Sequence, residues 1–408
     1  MPRWFRRLAS LIALSCAGTV AALTPAQEAA LQAFKARVQA ADSDAVLVLQ
    51  DGKPLLAHRR AGAAPDPTEM MSCTKSLVAL GIGRLLTLGK LRSLDQPVAD
   101  FYPEWKQGRK AAITLRMLLN HTSGLQNVPN TSVEIYPAPD ALKLALAAEL
   151  SHAPGERFSY NNKAMNLLAG VIEQAAQERM DLFLQREVLG PIGVRGPSWN
   201  GTSGFDKAGH PYAMAGWIAT AADAARVGQL VLDEGRHGGV PLIAPAFMRE
   251  MVAQSQPFSA NYGLLWWRHA RRTAFVVDPA GIDTLAKAGV RADLLDKLRP
   301  LAETRHPDAE SVRTAFAGAL GADLWAFGAD LDEHGLPIDT ALRSEWGPVQ
   351  AYVAEGYLGQ YIVIVPNARL VAVRQIASRQ LPDDKPWPYG YSEFSSHVVE
   401  LAQALRGP

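Results

Sequence analysis

Met71-Ser72-Cys73-Thr74-Lys75-Ser76-Leu77 is the stretch on which the reading of this chain turns. It carries a Ser-x-x-Lys pattern at the start of a helical run over residues 76–88. Residues three apart share one helical face, so the Ser72 hydroxyl and the Lys75 amine can meet. A serine hydroxyl is a weak nucleophile until a neighbouring base takes its proton. A lysine serves as that base only when neutral, so its pKa of about 10.4 must fall by roughly three, at about 1.36 kcal/mol for each. Burial beside polar groups can do this. Taken alone the pattern is weak, since a helix that opens on serine and exposes a solvated lysine reads the same way.

A second segment, Pro154-Gly155-Glu156-Arg157-Phe158-Ser159, runs into Tyr160-Asn161-Asn162 ahead of a helix predicted over 166–176. A phenol and an amide two residues apart just before a helix can point into one cleft. Tyr160 would shuttle a proton, and Asn162 would hold a substrate carbonyl or the lysine.

Strand signals lie at both ends of the chain. Residues 45–50 and 54–58 flank Asp51-Gly52, a hairpin signal. Residues 360–365 and 370–376 are rich in Val and Ile and are joined through Pro366-Asn367-Ala368. Thr24-Pro25 opens a helix carrying Leu31, Phe34 and Val38, and residues 393–406 form an amphipathic one. One antiparallel sheet assembled from both termini, with helices between, is therefore expected. The charged, alanine-rich residues 269–347 read as a helical insertion, with helices over 290–303 and 307–320, the second starting at Pro307.

The chain has 408 residues, 48% hydrophobic, with 41 basic against 40 acidic side chains. That balance speaks against a nucleic-acid partner, and the apolar content against disorder. Arg3, Arg6 and Arg7 precede an apolar run over 8–22 that ends Val20-Ala21-Ala22. The run is too short to span a bilayer and reads as a signal peptide over 1–22, hence a periplasmic or secreted mature chain over 23–408. Cleavage would remove Cys16 and leave Cys73 as the only thiol, so no disulfide is expected.

Taken together these stretches resemble the serine β-lactamase/penicillin-binding-protein superfamily, nearest its class C-like branch with esterases and 6-aminohexanoate-oligomer hydrolases. The likeness extends to Leu118-Leu119-Asn120-His121-Thr122-Ser123-Gly124-Leu125 and to Tyr262-Gly263-Leu264-Leu265-Trp266-Trp267. It covers about residues 42–268 and 349–405, in the family's order. The resemblance implies a two-lobed α/β fold, its terminal-helix-flanked antiparallel sheet packed on a mostly helical lobe over roughly 76–200. It implies Ser72 as acylated nucleophile, Lys75 and Tyr160 as the acid/base pair, and Asn162 orienting substrate and lysine. It further implies Gly356 beside the substrate and the Tyr357 N–H, on an edge strand, as oxyanion donor with the Ser72 N–H. Neither metal nor cofactor is implied, and the partner is a small ester or amide.

One departure bears on substrate. Relatives that are β-lactamases or peptidases carry Lys-Thr-Gly or His-x-Gly on that strand, where the cation helps bind a carboxylate. This chain reads Ala354-Glu355-Gly356, and Glu355 would repel one. Ester or unusual amide substrates are favoured; β-lactamase or D,D-peptidase action, with Arg268 or the insertion supplying a cation, is the second reading, and a silent binding relative the third. Among the remaining residues, His121 reads as a loop histidine, Glu69 as surface and Cys73 as a small buried side chain. One of Trp266 and Trp267 belongs to the core and the other to the cleft, and Tyr212 has substrate contact only as its second reading. The insertion, lying just before the substrate strand, is a candidate cap.

Overall fold

Asp51 and Gly52, with φ of 48° and 73°, turn β1 (Ala45–Gln50) back into β2 (Lys53–Arg59). A two-residue loop with both φ positive matches the natural twist of a hairpin. β3 (Trp267–Val277), β4 (Arg305–His306), β5 (Leu342–Gly356), β6 (Gln360–Val365) and β7 (Leu370–Gln375) complete the sheet. Its order is β2-β1-β7-β6-β5-β3-β4, antiparallel throughout. The computed structural model describes residues 23–63, 66–196, 198–200, 203–377 and 392–406. The expected signal peptide over 1–22 lies outside them.

Strict alternation splits β6 and β7 between two cores. Ile362, Ile364, Val371 and Val373 face the helical lobe. Val363, Val365, Leu370 and Ala372 face the helices Pro25–Ala40 and Phe394–Arg406 on the outer side. The first of these helices opens on a Thr24–Gln27 capping box with proline at its first turn. The inner face rests on the helices Cys73–Thr87 and Ala221–Leu232.

Residues 269–347 are not helical at their ends. β3 and β5 form a long bulged hairpin, and the helices Pro279–Ala288, Ala292–Leu298, Ala309–Leu320 and Leu324–Glu333 hang from its far end around a core of their own. The helix expected over 290–303 is shorter because Pro300 cannot continue it, leaving a 3-10 turn at Arg299–Leu301. Asp308, not Pro307, begins the next: its carboxylate caps the helix, and the proline stands one place before. About ten residues of extended strand, or ~30 Å, separate these helices from Trp267. His269, Ala270 and Trp346 of the insertion line a pocket that shares Trp267, Glu355 and Tyr361 with the one at Ser72, whereas its helices line neither pocket that contains Ser72.

Candidate active site

Ser72 is the N-cap residue of Cys73–Thr87, a helix so enclosed that Cys73 through Gly83 are all buried. Met71 just before it holds φ at +50°, which turns the chain sharply at Ser72. No hydrogen bond engages the Ser72 N–H among the described residues. Cys73 is fully buried, its thiol against the Gln360 carbonyl at 3.5 Å.

Lys75, one turn on and 1% exposed, donates from Nζ to Ser72 Oγ at 2.9 Å and to the Met214 carbonyl at 2.9 Å. Burial lowers its pKa from 10.5 to about 7. The Tyr160 ring lies under Nζ, 5.0 Å from nitrogen to centroid, and Tyr160 lines the same pocket as Ser72. Burial pushes its phenol well above its ordinary value, with Ser72 drawing it partly back. Ser72, Lys75 and Tyr160, separated by as many as 88 positions in the chain, meet at one point.

A single loop holds Tyr160 in place. The Ser159 N–H donates to the His121 carbonyl at 2.8 Å, and the Asn161 N–H to His121 Nδ1 at 3.2 Å. The Asn161 amide donates to the Leu125 carbonyl at 2.7 Å, while its oxygen accepts from the Ala164 N–H at 2.8 Å and caps Asn162–Ala176. The helix thus begins at 162, four residues earlier than expected. His121 is buried against Tyr160, centroids 4.5 Å apart, and burial together with the Lys75 charge lowers its pKa to about 3. It is a neutral brace, as its loop position suggested.

Asn162 lines a pocket of about 560 Å³ with Ser72, Asn130, Ser132, Tyr136 and Tyr357. It makes no hydrogen bond to Lys75; the Met214 carbonyl does the orienting expected of Asn162. That carbonyl is set by the neighbouring Ala213 N–H, which donates to Asn166 Oδ1 at 3.2 Å. Nothing local in the sequence announces Met214 or Asn166. Asn161 was detectable, as a capping residue three positions before Ala164.

Two expectations about the substrate strand need correction. β5 is interior, paired with both β6 and β3, but β3 starts opposite Val353, so Ala354–Gly356 keeps one open side toward Ser72. Tyr357 stands just past the strand, in the 3-10 turn Tyr357–Gly359. Gly356 matters for protein packing: a Cβ there would lie 2.5 Å from the Met70 carbonyl. Only glycine lets the strand end pass this close to the turn before Ser72. Arg374, fully buried, donates to the Gly359 carbonyl at 2.6 Å and to the Ala41 carbonyl at 2.9 Å, tying down the turn.

Glu355, Trp267, Tyr160 and Tyr361 wall a second pocket of about 420 Å³ that also reaches Ser72. Trp266 is buried, leaving Trp267 to the cleft. Tyr212 is buried behind Tyr136, edge to face at 5.4 Å, and Tyr136 is the ring that reaches the cleft. Glu69 is not a surface residue: half-buried, it accepts from the Gly216 N–H at 3.2 Å, and burial raises its pKa. His237-Gly238-Gly239 forms the exposed hairpin of a separate two-stranded sheet.

A serine, a lysine and a tyrosine thus gather where the helical lobe meets the sheet. The chain belongs to the Beta-lactamase family, whose model matches residues 30–389. Protein flp of Staphylococcus aureus (strain N315) is 26% identical over 181 residues, 40% of this chain and 36% of that protein. Esterase EstB of Burkholderia gladioli is 29% identical over 162 residues, 34% of this chain and 41% of EstB. The chain therefore matches well under half the length of either relative. The solved structure of EstCE1, a hydrolase with promiscuous acyltransferase activity, superposes with a TM-score of 0.59 over 94% of this chain and 100% of its own, at 15% identity. At that identity the likeness is one of fold.

Proposed function

We propose that this chain is a serine hydrolase that cleaves an ester or amide bond through a covalent acyl-enzyme on Ser72. The observation that carries the reading is the buried Lys75 amine, 2.9 Å from Ser72 Oγ with its pKa lowered to about 7. Half of it is then neutral near pH 7 and able to accept the serine proton. Tyr160, its phenol pushed upward, keeps its proton in the resting site. This favours Lys75 as first base and Tyr160 as the acid facing the leaving group, the two titrating as a coupled pair.

Ser72 Oγ adds to the substrate carbonyl carbon as its proton passes to Lys75. The Ser72 and Tyr357 N–H groups hold the oxygen that gains charge. The carbon–oxygen or carbon–nitrogen bond to the leaving group then breaks, and the departing atom takes a proton from Tyr160, which is replenished from Lys75. Water next adds to the acyl carbon and gives a proton to the pair. The bond to Oγ breaks, and Oγ regains its proton.

Glu355 beside the nucleophile favours substrates without a carboxylate on that side and disfavours β-lactams. Arg268, the candidate replacement cation, already donates from Nη1 to the Ala260 carbonyl. From the sequence of residues 1–22 we further propose that the enzyme works in the periplasm or outside the cell, on small molecules. Among the described residues no helix is long and apolar enough to cross a membrane.

A panel of activated esters, short amides and a chromogenic cephalosporin, assayed on wild type and Ser72→Ala, tests the reading. Ester turnover that vanishes in Ser72→Ala is expected, with a fluorophosphonate adduct on Ser72 by mass spectrometry. Cephalosporin turnover faster than ester turnover would move the chain to the lactamase reading. No turnover and no adduct would make it a binding protein.

A further inference from the structure

We infer that the pocket walled by Tyr160, Trp267, Glu355 and Tyr361 selects a positively charged leaving group, such as the trimethylammonium or primary ammonium of an amino alcohol or diamine. The inference rests on the serine-hydrolase reading above and adds the substrate class.

Three observations converge on it. Glu355 is the one formally charged side chain among the described residues lining this pocket. It is exposed at the pocket mouth, although partial burial of the carboxyl raises its pKa above the usual carboxylate value. Tyr361, its cross-strand partner, lines the same pocket. The Tyr361 ring is itself fixed by stacking on Phe394, centroids 5.4 Å apart.

The second observation is the aromatic wall. Tyr160 and Trp267 lie near parallel, 14° apart with centroids at 6.1 Å, and Tyr262 meets Trp267 edge-on at 4.6 Å. Ring faces beside a carboxylate attract ammonium groups through the ring quadrupole as well as the charge. Among the described residues lining this pocket, none offers a carboxylate-bearing group a cation.

The third is the side of the nucleophile on which the pocket lies. Tyr160, the acid that protonates the departing atom, belongs to its wall, whereas Asn162 lines the pocket on the other side. The leaving group therefore occupies the Glu355 pocket, and the acyl chain the 560 Å³ pocket.

Two butyrate esters of the same shape test this: 2-(trimethylammonio)ethyl butyrate and its uncharged isostere 3,3-dimethylbutyl butyrate. Turnover of the full chain is followed by pH-stat titration at low ionic strength, and the readout is the ratio of kcat/KM for charged over neutral ester within each variant. The ratio is insensitive to any loss of folded protein. It should be about tenfold or more in wild type, fall toward one in Glu355→Gln, drop below one in Glu355→Lys and survive in Glu355→Asp. A wild-type ratio near one overturns the inference while leaving the hydrolase intact, and so does a high ratio that persists in Glu355→Gln. Failure of wild type to cleave either ester, with no adduct on Ser72, overturns the hydrolase reading and this one with it.

Discussion

Replacing Lys75 with methionine removes the buried amine while keeping its length, and it separates chemistry from folding in one variant. In the folded chain the amine titrates at about 7 against 10.5 when exposed. Between those values the unfolded chain holds the proton and the folded one does not, so raising pH stabilises the fold. Below about pH 7 both states are protonated, and the burden of a buried cation is complete, ~5 kcal/mol. From pH 7 to 9 the wild type should gain about 2 kcal/mol relative to Lys75→Met, because the proton difference is about one half at pH 7 and nearly one at pH 9. Denaturant unfolding of both proteins at pH 7, 8 and 9 measures the difference, in which all other titrating groups cancel. The variant should also be at least as stable as wild type at pH 7 and form no acyl-enzyme. In wild type the neutral fraction rises from about one tenth at pH 6 to about nine tenths at pH 8. Acylation under single-turnover conditions should therefore rise about tenfold across that range. Parallel stability curves for the two proteins, or acylation flat between pH 6 and 8, would refute a neutral lysine as the base.

Gly356→Ala puts a Cβ 2.5 Å from the Met70 carbonyl; it should cost about 1–3 kcal/mol of stability by overpacking and lower kcat more than KM rises, both measured beside wild type. Glu134→Gln leaves the buried Lys163, now paired with Glu134 at 2.5 Å, without its counter-charge. It should cost about 3 kcal/mol, and Lys163→Met in the same chain should restore most of it; no recovery in that double variant would show that the pair is not the cause.

The hairpin at Asp51-Gly52, the capped helix at Thr24-Pro25 and the alternating strands near the C-terminus were legible because each is specified by residues adjacent in sequence. Ser72 and Lys75 stood out through their three-residue spacing, whereas the roles assigned to them and to Tyr160 rested on the resemblance to the serine β-lactamase/penicillin-binding-protein superfamily. What escaped the sequence depends on distant contacts. The Met214 carbonyl reaches Lys75 across 139 positions, and a backbone oxygen leaves no compositional trace. The open side of β5 depends on where β3 begins, which only the pairing register reveals. The insertion precedes β5 in sequence, and only the pairing register shows that a long hairpin separates its helices from Trp267. Glu69 resembled any surface glutamate until Gly216 and Ser203 came to it from far along the chain.

The sheet also orders events in time. Ser72 leaves the ribosome early, but Glu355, Gly356 and the turn anchored by Arg374 follow almost 300 residues later. In the hydrolase proposed above, a nascent chain would carry Ser72 without the strand end and turn that complete its surroundings, and acyl transfer would await the strands through Gln375.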